Sequence, residues 1–356
     1  MRNALPPGST IGILGGGQLG RMLSVAASRL GLHCAIYDPS AEPPAGQVAL
    51  RTVQGAWDDV DALRAFAASV DVVTYEFENI PAEALDALES QAPVHPPRGA
   101  LAVSQDRLDE KDFLSDLGLL TAPFVKVDTL DDLKGAVENI GPKGILKTRR
   151  LGYDGKGQVR IDAGSDLGAA FASLNGAPAI LEGFVDFEKE ISVIAARAQD
   201  GQVAAFDPGE NVHEGGILRT TTVPAEISAG MKMDAVLLAS RILNALDYVG
   251  VMGVELFVTK DGLIVNEIAP RVHNSGHWTQ NGCTIDQFEQ HIRAVAGWPI
   301  GSGERHADVV MENLIGSDMD RLEALRAEGG TAIHLYGKTD VREGRKMGHV
   351  NRVTLT

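Results

Sequence analysis

Val251-Met252-Gly253-Val254-Glu255-Leu256-Phe257-Val258 and Leu263-Ile264-Val265-Asn266-Glu267-Ile268 are two apolar, strand-like runs joined through Lys260-Asp261-Gly262. The spacing predicts a β-hairpin whose three-residue loop ends on a glycine in the left-handed position. In that register Glu255 lies across from Glu267 on one face of the sheet. Like charges directly opposite destabilise a sheet, and buried carboxylates lose solvation. A divalent cation relieves both penalties. Mg2+, which prefers oxygen ligands and bridges nucleotide phosphates, suits the pair. Two other readings stay open: the acids are exposed rim residues, or a two-residue loop sends them to opposite faces.

Beyond Glu267 the chain continues Ala269-Pro270-Arg271-Val272-His273-Asn274-Ser275-Gly276-His277-Trp278. The stretch is polar, stiffened by Pro270 and rich in hydrogen-bond donors. An arginine just past a metal-binding acid can grip a planar anion through its fork of N–H groups. His273 and His277 have the spacing of a zinc pair, but Ser275-Gly276 argues against a helix there and no third ligand stands out.

Upstream, Ile145-Leu146-Lys147 reads as a strand that ends on a lysine. Arg149, Arg150 and Gly152-Tyr153-Asp154-Gly155-Lys156-Gly157-Gln158 follow. Glycines let a backbone fold over phosphates, and lysines supply point charges. The run lacks the Gly-Lys-Ser/Thr ending of a P-loop. A lid over a nucleotide is the functional reading and a surface hairpin turn the plain one. Ala179 to Val185 reads as an apolar strand that ends abruptly, an edge whose backbone could bond an adenine. Glu190 opens another strand and could hold a ribose hydroxyl pair. His213 alone is an ordinary loop histidine.

The N-terminal region carries Gly15-Gly16-Gly17-Gln18-Leu19-Gly20 after the strand-like Thr10–Leu14 and before a helix with Leu19, Met22, Leu23 and Ala26 on one face. Asp38 ends the next strand. This is the pattern of a dinucleotide turn. It is equally an anion site for another phosphorylated ligand, or a tight turn without one. His33–Tyr37, Asp71–Tyr75 and a helix bearing Leu63 and Phe66 complete a doubly wound, parallel α/β pattern. Asp106 to Leu117 predicts an amphipathic helix with Leu108, Phe113, Leu114 and Leu117 as its apolar positions. Helices are expected around 229–246 and 285–296, and strands at Val309–Met311 and Ala332–Tyr336. Three segments result: 1–103 (α/β), 104–300 (α+β, with 124–196 bearing the glycine loop) and a small unit at 301–356.

The 356 residues include 32 basic and 48 acidic side chains, a net charge of −16, which opposes non-specific nucleic-acid binding. Any phosphate site must therefore gather its positive charge locally. Tyr336-Gly337-Lys338 and Arg342 to His349 form such a basic cluster, either a phosphate clamp or a solvated turn. Two cysteines, Cys34 and Cys283, make no disulfide framework and point to a reducing cytoplasm. No signal-peptide core and no membrane-length apolar run is expected.

Together these motifs resemble the ATP-grasp superfamily, and within it the N5-carboxyaminoimidazole ribonucleotide synthase family of purine biosynthesis. The resemblance runs through Gly15–Arg21, Tyr75-Glu76-Phe77-Glu78-Asn79, Gly152–Gln158, Asn266–Trp278 and Gly344–Val350. Val272 and Glu343 depart from it, since proline is expected at both. The resemblance implies an ATP-grasp fold with ATP between two α+β lobes. ATP would be surrounded by Arg107, Lys147, Gly152, Tyr153, Asp154, Gly155, Lys156, Gly157, Gln158, Glu182, Gly183, Phe184, Val185, Glu190, His213, Asn266 and Glu267. It implies Mg2+ on Glu255 and Glu267, and aminoimidazole ribonucleotide against Gln18, Leu19 and Glu76 with its phosphate on Lys338 and Arg345. Bicarbonate would bind Arg271 and the substrate amine would meet Asp154, so that Asp154, Arg271 and Lys338 form the catalytic set. A cytoplasmic homodimer is the family expectation. The free-CO2 question and the general base stay open. A formate-dependent glycinamide ribonucleotide transformylase is the neighbouring alternative, disfavoured by Asp154. An NAD-dependent oxidoreductase is the alternative from another class, and it leaves the Lys147 loop and the Glu255/Glu267 pair unexplained.

Overall fold

A computed structural model describes residues 4–152 and 156–355. Tyr153, Asp154 and Gly155, assigned above to ATP and the substrate amine, lie outside the described residues.

The first sheet is parallel, with strand order Arg51–Gln54, His33–Asp38, Thr10–Leu14, Val72–Tyr75. Its two inner strands are short and buried along their middles (Ile11, Ile13, Ala35, Ile36), as a parallel sheet covered on both faces requires. Helix Gln18–Arg29 buries Leu19, Met22, Leu23 and Ala26, the face expected from their spacing. Helix Val60–Ala67 buries Leu63 and Phe66, and its first turn is capped by the Asp59 carboxylate accepting from Ala62 N–H.

A second, antiparallel sheet runs Phe124–Val127, Ala179–Gly183, Gly144–Thr148, Gln158–Ile161. Helix Leu130–Ile140 packs on it, started by a reciprocal capping box of Thr129 and Asp132. The glycine loop is the connection of the hairpin formed by Gly144–Thr148 and Gln158–Ile161.

The third sheet has nine strands. Eight lie in the order Gly262–Ala269, Gly250–Thr259, Lys189–Arg197, Gly209–Glu214, Ile217–Val223, Ala307–Ile315, Lys346–Leu355, Thr331–Leu335; Val203–Ala205 pairs beside Lys189–Arg197. The strands after residue 300 thus extend the sheet that carries the hairpin. Strand alternation divides the core. Ile191, Val193 and Ala195 pack with Ala235, Ala239, Ile242 and Leu243 of helix Ala229–Ala245. Ile194 and Ala196 pack with Phe288, Ile292 and Val295 of helix Gln287–Val295. Each fully buried Leu, Ile or Phe contributes about 1.5–3 kcal/mol, so a charge at Ile242 or Ile292 would break the corresponding layer.

The hairpin corrects one expectation. Thr259 pairs with Gly262, so the loop is the two residues Lys260-Asp261 rather than three. Phe257–Ile264 and Leu256–Val265 keep that register; it then shifts, and Glu255 pairs with Glu267. Asn266 is the extra residue of a β-bulge. The opposition of the two acids is therefore as expected, but a bulge creates it, reversing the face change that a two-residue loop imposes.

Helix Arg107–Asp116 packs Phe113, Leu114 and Leu117 on the core as expected, and adds a buried charged edge. Leu114 is fully buried, but Leu108, Phe113 and Leu117 are only half-buried, while Glu110 and Lys111 are buried at 3% and 0% exposure. The helix turns this charged edge toward polar backbone at the hairpin bulge.

Candidate active site

A cleft lined by Glu78, Arg107, Glu110, Arg149, Gly152, Glu267 and Arg271 lies where the helix Arg107–Asp116, the hairpin and the start of the glycine loop meet. The Glu255 side chain is 14% exposed. Burial raises its pKa, and Glu267 raises it further. Burial also works against the Glu267 anion, but Arg107, Lys147 and Lys111 outweigh it and hold that carboxyl below its ordinary range. Arg107 Nη1 sits 3.2 Å from Glu267 Oε2. The opposed carboxylates are thus shifted in opposite directions: cations favour the anion of Glu267, while burial and Glu267 push Glu255 toward its proton.

Lys147, at the end of its strand, donates to Glu182 Oε2 at 2.8 Å. Glu182 is 4% exposed. Two predicted ATP residues are therefore already paired. The edge-strand reading of Ala179–Gly183 is corrected, because this strand lies between Phe124–Val127 and Gly144–Thr148. Gly183 N–H and Phe184 N–H are taken by the carbonyls of Pro123 and Lys143. Phe184 is half-exposed, with the Arg160 guanidinium 5.1 Å from its ring centre. Val185 follows it, beyond the end of the strand at Gly183.

On the neighbouring sheet Glu190 Oε2 lies 2.7 Å from His213 Nδ1. Burial disfavours imidazolium, but the Glu190 hydrogen bond and the field of Glu255 and Glu267 prevail, and the His213 pKa rises. His213 is thus tied to a predicted site residue, which its loop-like sequence context did not reveal.

Arg271 points its fork at Glu78, donating through Nε and through Nη2, the latter at 3.0 Å. Glu78 is a residue sequence reasoning quoted without assigning a role. Val272 is fully buried. His273 Nε2 stands 3.5 Å from Glu255 Oε1. Burial and the nearby Arg271 push its pKa well below the usual range, so the contact is not an ion pair. His273 Nδ1 meets Ser275 Oγ, and His277 Nδ1 meets Gln287 Nε2, so their rings serve the loop's own packing.

The N-terminal glycine turn is filled by the protein itself. Gly17 N–H donates to Glu76 Oε1 at 2.8 Å, and a Cβ at Gly15 or Gly17 would stand under 3.0 Å from that oxygen. Asp38, the acid of the dinucleotide pattern, accepts from Gly16 N–H at 2.7 Å and Ser40 N–H at 2.7 Å. Pro43 packs on Gly16. A carboxylate occupies the helix N-terminus where a pyrophosphate would rest, which corrects the NAD reading.

Lys338 Nζ donates to Gln18 Oε1 at 2.8 Å, bringing together two predicted ribonucleotide residues 320 positions apart. Leu19 is buried in the first turn of the adjoining helix. Arg345 bonds the Asp340 carbonyl at 2.8 Å and neighbours Lys346, whose carbonyl accepts from Lys338. Tyr336 and His349, in the same basic segment, are instead core residues joined by a 2.8 Å hydrogen bond.

Comparison with known proteins covers nearly the whole chain. Family models match a ribonucleotide synthetase preATP-grasp domain at residues 9–105, an ATP-grasp domain at 112–288 and a phosphoribosylaminoimidazole carboxylase C-terminal domain at 309–356. An N5-carboxyaminoimidazole ribonucleotide synthase of Brucella melitensis is 57% identical over 355 residues, covering 99% of this chain and 98% of that protein. The Staphylococcus aureus N5-carboxyaminoimidazole synthetase complexed with ADP superposes with a TM-score of 0.95 at 38% identity, covering 99% of this chain and 95% of that one. The Aspergillus clavatus N5-carboxyaminoimidazole synthase in complex with ADP and 5-aminoimidazole ribonucleotide gives 0.93 at 32% identity, covering 98% and 95%.

Proposed function

The chain belongs to the N5-carboxyaminoimidazole ribonucleotide synthases and carboxylates 5-aminoimidazole ribonucleotide with the use of ATP; on that premise we propose that bicarbonate supplies the carboxyl through carboxyphosphate, in the cleft bounded by Arg107, Glu267 and Arg271. Bicarbonate is a poor electrophile. Its oxygen attacks the γ-phosphorus of ATP, ADP leaves, and the mixed anhydride that forms has phosphate as its leaving group. The exocyclic amine then takes the carboxyl, directly or as CO2, while phosphate departs and the amine gives up a proton.

Arg271 holds bicarbonate in its planar fork, exchanging Glu78 for the substrate. Lys147 and Arg107 face the phosphates, where fixed cations offset charge developing in phosphoryl transfer. Glu190 and His213 take the ribose, and the end of the strand at Glu182–Val185 takes the adenine. Asn266 and the loop Gly152–Gln158 complete the nucleotide site, the loop keeping water off the anhydride. Asp154, outside the described residues, meets the substrate amine. Gln18, Leu19 and Glu76 hold the ribonucleotide, and Lys338 with Arg345 its phosphate.

The donor set suits Mg2+: two opposed carboxylates, one favoured as its anion, offer hard oxygen ligands. Glu255 and Glu267 would hold the ion, which supplies charge neutralisation of the phosphates. Three segments, 1–103, 104–300 and 301–356, work together in this reading, as a homodimer in the cytoplasm. Among the described residues no helix is long and apolar enough to cross a membrane.

The observation that carries the reading is the Glu255/Glu267 opposition beside Arg107 and Arg271. ADP release, measured with and without bicarbonate and aminoimidazole ribonucleotide, tests it. Rapid release is expected only with both present. Release indifferent to bicarbonate would contradict it.

A further inference from the structure

We propose that Lys111 and Glu110 are positioning residues that grip the Asn266 bulge and thereby hold Glu255 and Glu267 opposite each other. The proposal rests on reading those two acids as the cation site.

Lys111 is fully buried, an arrangement that is costly for an ammonium unless it is well bonded. Its Nζ donates to the Asn266 carbonyl at 2.5 Å and lies 3.5 Å from the Val265 carbonyl. Glu110, the preceding residue, accepts from Ile268 N–H at 2.6 Å. One helical turn earlier Arg107 reaches the Glu267 carboxylate. The helix Arg107–Asp116 therefore holds the strand on both sides of Glu267, through main-chain atoms at 265, 266 and 268.

The bulge is what needs holding. The extra residue of a bulge leaves the ladder, and here a buried ammonium serves its carbonyl. Continued without a shift, the Leu256–Val265 register would set Glu255 against Asn266 and turn Glu267 to the other face. The charged edge of the helix thus fixes which face Glu267 occupies. Lys111 holds the strand through Asn266, as outer-shell partners do for metal ligands, in addition to the effect of its charge on Glu267 and on Glu182, 3.9 Å away.

Hydrogen–deuterium exchange over residues 262–269, Mn2+ binding to the protein followed by electron paramagnetic resonance, and steady-state kinetics test this together. Lys111→Met keeps the apolar stem and removes the donor. It is expected to speed exchange at 265–268 and weaken Mn2+ by about 10- to 100-fold, with KM for the ribonucleotide unchanged. Glu110→Met is expected to follow it, and Glu110→Gln to lose less, because its amide oxygen still accepts from Ile268 N–H. Glu255→Gln is expected to weaken Mn2+ without altering exchange. Wild-type Mn2+ affinity in Glu255→Gln would overturn the cation reading and this role with it. Weakened Mn2+ in Glu255→Gln, with wild-type exchange and affinity in Lys111→Met, would overturn the clamp alone. Should Lys111→Met not fold, equal losses in Glu110→Gln and Glu110→Met would overturn it.

Discussion

Glu76 and Glu267 both stand within the field of Arg271, yet their surroundings shift their pKa values in opposite directions. Burial raises the Glu76 pKa to about 7; the amide of Gly17 and the charge of Arg271 pull it back only in part. Glu267 is also desolvated, but Arg107, Lys147 and Lys111 converge on it and its pKa falls. Amide dipoles at a helix start are worth less than full charges a few ångströms away. A carboxylate just past a strand of the parallel sheet thus gains its proton more readily in a glycine turn, while cations favour the anion of one in the hairpin.

The sharpest way to break this contrast is to remove the favoured anion. Glu267→Gln should lower turnover by about 100-fold, the scale for losing a preorganised group that acts on developing charge, with the fold retained. Near-wild-type kinetics would place the two acids on an equal footing. In the basic segment, Arg345→Ala should raise KM for the ribonucleotide by about 10-fold, one charge-assisted contact's worth, and KM for ATP less. An equal rise for both would move the basic segment to the nucleotide.

Stability against pH sharpens the same point. His291 is fully buried, bonded to Thr74 Oγ1 at 2.7 Å and accepting from Val251 N–H at 3.1 Å; burial pushes its pKa down to about 3. The unfolded chain takes up this proton near pH 6.5 and the folded chain does not, so stability is full above that value. It falls by about 1.4 kcal/mol per pH unit down toward the folded value. Urea midpoints of wild type and His291→Gln should show a shallower acid slope in the variant. Glu76 has the opposite sign. Its raised pKa gives a contribution present below the unfolded value and lost as pH rises through about 7. Glu76→Gln should therefore raise the melting temperature at neutral pH and above, by an amount that shrinks as pH falls from about 7 toward the unfolded value.

Much of this was legible in the sequence because it is local. The alternation of short apolar runs with amphipathic helices gives the parallel sheet, and the hairpin acids announce themselves as charge in an apolar strand. The bulge was not legible, since a single extra residue is decided by Lys111 and Glu110, some 155 residues away. Their signal was nonetheless present as Arg107, Glu110, Lys111 and Leu114, charged residues at helical spacing on the face of a buried leucine. Glu76 in the glycine turn was hidden for the same reason: the turn's pattern is shared by ligand-binding and self-filled forms, and only the fold brings a carboxylate from 59 residues away to its amides. Lys338 beside Gln18 became visible only through family resemblance.

The central claim is that one cleft activates bicarbonate as a mixed anhydride. Bicarbonate labelled with heavy oxygen, supplied with ATP and aminoimidazole ribonucleotide, tests it most directly by mass analysis of the released phosphate. The account predicts one labelled oxygen transferred to phosphate for each carboxylation. Phosphate free of label alongside normal product formation would contradict it.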